Sequence, residues 1–172
     1  MIHLNWYYVR QPQEDKHGVK FPQQQSNMSN ENQFGLGYIR DEYDPRDFQF
    51  EAFMAGGDVP DEFILDIPFV TNQGKIPSCT AHAVTTMKYS QEGVQLSPRF
   101  NFAWSKFYDN YQGYGTTLKN AITVLQKNGA VLENSYPDKN TLTEQEYTDV
   151  TQISGRLNAD ALDFSSSAYV VV

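Results

Sequence analysis

Apolar residues recur at three- and four-residue steps over three stretches of the chain, each bounded by residues suited to start or stop a helix. In "CTAHAVTTMKYSQEG", Ala83, Val84, Met87 and Tyr89 lie along one side, and Gly93 is placed to end the helix in a left-handed turn. A helix of about four turns is predicted, with Cys79 in its first turn. "LSPRFNFAWSKFYDNY" offers Ser97 as N-cap and Pro98 at the first helical position, followed by Phe100, Ala103, Trp104, Phe107, Tyr108 and Tyr111 as an aromatic stripe read as core. "TLKNAITVLQKNG" supplies Thr117 as cap, a stripe of Leu118, Ala121, Ile122 and Leu125, and Asn128-Gly129 as a stop. The Asn-Gly pair would equally suit a hairpin, but no alternating strand precedes it. Thr143 and Glu146 have the spacing of a capping box and predict a short fourth helix. The closing "AYVVV" reads as a strand.

Upstream of Ser78 the pattern changes. Residues 1–36 are dominated by Gln, Asn, Ser and Pro without a helical or alternating period and read as a polar extended arm. Residues 37–77 mix aromatics, acids and breakers such as Asp44-Pro45, Gly56-Gly57 and Val59-Pro60, which predicts an extended, loop-rich lead-in. Residues 78–137 then form a helical subdomain, and 138–172 begin a second one. No internal repeat interrupts this order.

Composition narrows the function classes. Among 172 residues, 40% are hydrophobic and 14% aromatic, so a packed core is expected. Thirteen basic residues are scattered among 21 acidic ones for a net charge of -8, which argues against a nucleic-acid partner. No apolar run is long enough to span a membrane, and the N-terminus lacks the charge and apolar pattern of a signal peptide. A soluble protein is expected, cytoplasmic or associated with a virion. One cysteine excludes an internal disulfide and, with three histidines, does not support a zinc site. Neither metal nor cofactor is expected. Asp41, Glu42, Asp44 and Asp47, and then Asp58, Asp61, Glu62 and Asp66, form two acidic groups, but they lack the spacing of a calcium loop and read as solvated.

The chemistry centres on Cys79. Lone cysteines are commonly buried small hydrophobes, yet a thiol in a helix's first turn meets unpaired N–H groups and a dipole that favour its thiolate. An oxyanion formed on attack at an acyl carbon would need donors. The backbone N–H of Cys79 and the side-chain amide of Gln73, six positions earlier, are candidates.

Gln73, Gly74, Ser78-Cys79, Ala81 and Ala83 resemble the active-site segment of papain-like cysteine peptidases. "YDPRDFQF", "IPFVTNQG", "LSPRFNFAW" and "GTTLKNAITVLQKNGAVLENSYP" follow the order and approximate spacing of that family's disulfide-poor bacterial and viral-type branch, over about Gly37 to Pro137. The chain departs from the pattern at Thr80, where the papain branch has tryptophan, and at Ile76 and Pro77, where it has cysteine and glycine. The resemblance implies an α+β papain-like fold, with a helical left domain and the start of a β-rich right domain. It implies Cys79 as nucleophile, Gln73 as oxyanion donor, and Gly115 and Thr116 at the positions of the glycine pair that binds substrate backbone.

The family takes its catalytic histidine and asparagine from the second, β-rich half, and no histidine follows His82 in this sequence. His82 shares a helix face with Cys79 and reads as structural, while His3 and His17 lie on the polar arm. The expected function is therefore peptide-bond hydrolysis through a thioester acyl-enzyme, in an N-terminal part whose base comes from elsewhere, a complementary C-terminal chain included. The alternative is a catalytically inactive structural or interaction module that docks on assembly neighbours, its terminal strand pairing with another chain. A pro-segment-like inhibitor of a related protease is a third option.

Overall fold

The computed structural model describes residues 36–45, 47, 64, 66–109, 113–139 and 141–167. The arm over 1–35, most of the second acidic group, Tyr111, and the terminal strand expected at "AYVVV" lie outside the described residues.

Three helices carry the fold: α1 (Cys79–Glu92), α2 (Pro98–Tyr108) and α3 (Leu118–Lys127), which pack against one another. Their starts, and the ends of α1 and α3, are where the sequence puts them, whereas α2 stops at Tyr108, short of the stripe read to Tyr111. Gly93 closes α1 at φ 70°, donating its N–H to the Tyr89 carbonyl. The Ser97 hydroxyl accepts from the Phe100 N–H at 3.1 Å, donates to the Tyr136 carbonyl, and so caps α2 while tying it to the later chain. Thr117 accepts from the Asn120 N–H at 3.1 Å and starts α3. Gly129 follows α3 at φ 75°, where a Cβ would stand 1.9 Å from the Ala161 carbonyl oxygen, so only glycine fits.

The capping box forms as read. The Thr143 N–H donates to Glu146 Oε2 at 2.9 Å and the Glu146 N–H returns to Thr143 Oγ1, opening the single turn of α4 (Glu144–Tyr147). A fifth helix, α5 (Gly155–Ala161), capped by Ser154 and flanked by 3-10 turns at Val150–Gln152 and Leu162–Phe164, was not anticipated. The described strands, β1 (Tyr38–Ile39) and β2 (Thr116–Thr117), pair in parallel with Tyr38 opposite Thr116. The result is a helical fold with a small sheet, matching the α+β expectation.

Packing corrects two stripes. On α1 the buried set is Thr80, Ala81, His82, Val84, Thr85 and Lys88, whereas Ala83 is exposed and Met87 and Tyr89 are half-buried. Three of the four polar members find partners on burial, whereas Thr80 Oγ1 is left without a hydrogen bond. Thr85 donates to the Ala81 carbonyl at 2.8 Å, and Lys88, fully buried, donates to the Ser165 carbonyl at 3.2 Å and pairs with Glu92 at 2.7 Å. On α2 the aromatic stripe leaves the core at its C-terminal end. Phe107 is 62% exposed and Tyr108 39%, while Arg99, Asn101, Phe102 and Ser105 are buried in their place. The helix is enclosed on several sides near its start, so burial there follows position along the axis rather than one face.

Val84, Leu96, Ala121, Ile122, Leu125 and Ala130 form one core cluster, and Phe100, Ala103, Val131, Tyr136, Ile153 and Ala161 a second. A third joins Ile76, Ala81, Phe102 and Tyr147, anchoring the loop before α1 to the helices behind it.

The lead-in is extended but not simply solvated. Asp41 accepts from the Lys119 N–H at 3.0 Å, at the start of α3 where an acid complements the helix dipole. Lys119 Nζ bridges Asp47 at 2.6 Å and Asp44 at 3.3 Å. Among the described residues no cluster is arranged to hold a metal, and no helix is long and apolar enough to cross a membrane.

Candidate active site

The loop Thr71–Ser78 delivers the chain to α1 through a chain of short-range bonds. Asn72 Oδ1 accepts from the Gly74 N–H at 2.9 Å, which turns the backbone at Gly74, where φ is 59°. The Ile76 N–H donates to the Gln73 carbonyl at 3.2 Å and the Ser78 N–H to the Ile76 carbonyl at 2.8 Å. Ile76 is 4% exposed and packs into the third core cluster, so the turn is pinned from behind. Gln73 remains half-buried at its outer edge.

Cys79 is the first residue of α1 and is half-buried. Ser78, at the N-cap, makes no side-chain cap bond to the helix, unlike Ser97, Thr117, Thr143 and Ser154 at the other helix starts. The opening amides of α1 are thus not taken up by their own N-cap hydroxyl, in the place where an oxyanion would use them.

Facing this helix start is Gly115-Thr116, and between them runs Gly37. A Cβ on Gly37 would stand 1.8 Å from the Pro77 carbonyl oxygen, and a Cβ on Gly115 would stand 2.0 Å from the Gly37 carbonyl oxygen. The Thr116 N–H donates to that same carbonyl at 2.9 Å. Gly115 adopts φ 80°, and its own carbonyl, with that of Gly113, is held by Lys106 Nζ at 3.0 and 3.1 Å. The expected substrate-binding pair is therefore separated from Pro77, two residues before Cys79, by the backbone of Gly37.

His82 turns away from any role as base. Its Nδ1 lies 2.8 Å from Thr71 Oγ1 and its Nε2 3.4 Å from Asp138 Oδ2, an ion-pair contact too poorly aligned to count as a hydrogen bond. Burial lowers its pKa, partly offset by Asp138. Asp138 Oδ1 accepts from the Tyr147 hydroxyl at 2.7 Å, and the Asp138 N–H donates to Glu133 Oε1 at 2.6 Å. Burial drives the Tyr147 hydroxyl well above its ordinary pKa, with the Asp138 charge adding to it. Burial likewise raises Glu133 to about 7, against the Asp138 N–H, which favours its charged form.

Of the sequence-based candidates, Gln73 and Cys79 lie on one short loop-to-helix turn, and Gly115 and Thr116 lie opposite it. The residues that sequence reasoning missed are Thr71, Glu133, Asp138 and Tyr147 around the turn and Lys106 behind Gly115. They are far apart in the chain and belong to no motif, so only folding brings them together.

No protein-family model matches the chain, and no curated protein does. Among solved structures, xylellain, a cysteine protease from Xylella fastidiosa, matches with a TM-score of 0.66 at 24% identity. The match covers 86% of this chain and 62% of that one, so the described fold spans less than two thirds of its neighbour. At this identity the likeness establishes the papain-like fold.

Proposed function

We propose that this chain carries the nucleophile side of a papain-like cysteine peptidase site. The Cys79 thiolate attacks the carbonyl carbon of a peptide bond, and the tetrahedral oxyanion is received by the Cys79 N–H and the Gln73 side-chain amide. Collapse expels the amine, which takes up the proton first removed from the thiol, and leaves a thioester. Water then attacks that carbonyl, releases the acid and restores the thiol. The backbone of Gly115-Thr116 pairs with the substrate chain and holds it in register.

The observation that carries this reading is the start of α1: Cys79 at the first position, no side-chain cap from Ser78, and Gly115-Thr116 across a gap one backbone wide. The imidazole that shuttles the proton is not His82, both of whose ring nitrogens face other partners. In the described state Gly37 takes the place of substrate on Thr116, so Leu36–Ile39 must move before a peptide can pair there.

That same contact favours a second reading, a binding module whose cleft is permanently filled by its own lead-in. Hydrolysis of a quenched fluorescent peptide by the protein isolated from its host cells separates the two. Activity that vanishes in Cys79→Ala supports the peptidase, whereas no cleavage of any peptide in a diverse library supports the module.

A further inference from the structure

The buried polar group under the loop contains a residue that the proposed chemistry does not use. His82 is 7% exposed, on the turn of α1 next to Cys79, and its ring links two parts of the chain distant in sequence. One nitrogen meets Thr71, two residues before Gln73, at 2.8 Å, and the other meets Asp138 at 3.4 Å. Asp138 is in turn fixed by the Tyr147 hydroxyl at 2.7 Å and by its own N–H on Glu133 at 2.6 Å. Tyr147 is fully buried and packs with Ile76, Ala81 and Phe102, so the far end of this chain of contacts is anchored in the core.

We propose that His82 is a positioning residue: buried on α1 beside Asp138, it clamps Thr71 through its one hydrogen bond and thereby fixes the Gln73 loop at a set distance from the first turn of α1. The Asp138 charge, 3.4 Å from Nε2, favours by electrostatics rather than by a hydrogen bond the tautomer with its proton on that nitrogen. Nδ1 is then an acceptor, and the Thr71 hydroxyl donates to it. A neutral ring is the form that completes this pattern, and burial favours it. The groups facing the ring are Asp138 and, behind it, Glu133 and the Tyr147 hydroxyl, all acidic or neutral. A donor amide placed by such a clamp is ordered before substrate arrives, which is the condition under which an oxyanion donor is most effective.

The catalytic meaning of the clamp rests on the peptidase reading, but the clamp itself can be tested without turnover. Amide hydrogen exchange is measured at Ile76, whose N–H closes the turn on the Gln73 carbonyl, in wild type, Thr71→Val and Thr71→Ser. Loss of the hydroxyl is expected to speed exchange at Ile76 about tenfold, the consequence of losing one hydrogen bond. Serine is expected to restore the wild-type rate, and Leu125 in the core of α3 is expected to exchange alike in all three. Ring nitrogen shifts should show the proton on Nε2, and Asp138→Asn should let the tautomers mix. Unchanged exchange in Thr71→Val, or a proton fixed on Nδ1, overturns the clamp. Labelling of Cys79 by an epoxysuccinyl peptide in the protein from its host cells is scored apart. If exchange responds and labelling fails, the peptidase reading falls and the clamp stands as a loop anchor. Labelling with unresponsive exchange removes the clamp alone.

Discussion

The Gly37 carbonyl accepts the Thr116 N–H at 2.9 Å while the Gly37 α-carbon rests against the Pro77 carbonyl, so one glycine of the lead-in is gripped from both walls of the cleft. The contact leaves no room for a side chain. Gly37→Ala would place a methyl carbon 1.8 Å from the Pro77 oxygen, on backbone that cannot swing aside. The expected outcome is displacement of Leu36–Ile39, read as exposure of the Thr116 amide to fast hydrogen exchange while α3 stays protected. Thr116 protection equal to wild type would show that the segment is not held there.

Lys106 holds the opposite wall by donating to the carbonyls of Gly113 and Gly115 and pairing with Asp109. Lys106→Met keeps the stem and removes these bonds. Hydrogen bonds to charged groups contribute about 1.5–3 kcal/mol each, less where solvent reaches them, so a loss of about 2 kcal/mol in urea unfolding is expected. The substitution should also loosen Gly115, seen as line broadening confined to 113–117.

The aromatic residues of α2 divide by depth. Phe102 is fully buried beside Ile76 and Tyr147, and Phe102→Ala is expected to cost about 3–5 kcal/mol. Phe107, mostly exposed, is expected to cost less than about 0.5 kcal/mol when replaced by serine. Comparable losses at both positions would contradict the burial described.

Glu133 sets a pH dependence. Its folded pKa, about 7, lies above the ordinary 4.5, so between those values the folded chain keeps a proton that the unfolded chain has released. Stability from this group is therefore fully present below pH 4.5 and is lost as pH rises through 7. His82, with its pKa lowered by burial, acts in the opposite sense: its contribution is present above the ordinary value of 6.5 and declines as pH falls below it. Glu133→Gln keeps the acceptor for the Asp138 N–H and removes the first slope. Its urea midpoint should gain on wild type from about pH 5 to about pH 8, and parallel curves would show that Glu133 does not titrate in this range.

The helix ends were legible because capping chemistry is local: Ser97, Thr117, Thr143 with Glu146, Gly93 and Gly129 each act within a few residues. The Gln73–Cys79 turn was legible for the same reason. The buried face of α1 was not, since Lys88 reads as a surface residue until the Ser165 carbonyl, 77 positions away, is brought to it. Thr85, bonded back to the Ala81 carbonyl, was left out of the buried stripe likewise. The filling of the cleft by Gly37 could not be seen either, because nothing in the composition of the lead-in distinguishes a segment that threads a gap from one that lies on the surface.

Removal of the Gln73 side-chain amide tests the oxyanion assignment. Gln73→Ala in the active protein is expected to lower kcat by about 100- to 1000-fold with little change in KM, because the donor acts on charge that develops only in the transition state. A rise in KM with kcat intact would assign Gln73 to substrate binding instead.

The most direct measurement is the reaction of Cys79 with an epoxysuccinyl peptide in the protein from its host cells, followed by mass spectrometry. The account predicts a single adduct on Cys79, formed faster than with a peptide-free epoxide, slowed by competing peptide, and accelerated in Gly37→Ala. A thiol that reacts equally with both epoxides, indifferent to peptide and to Gly37, would contradict it.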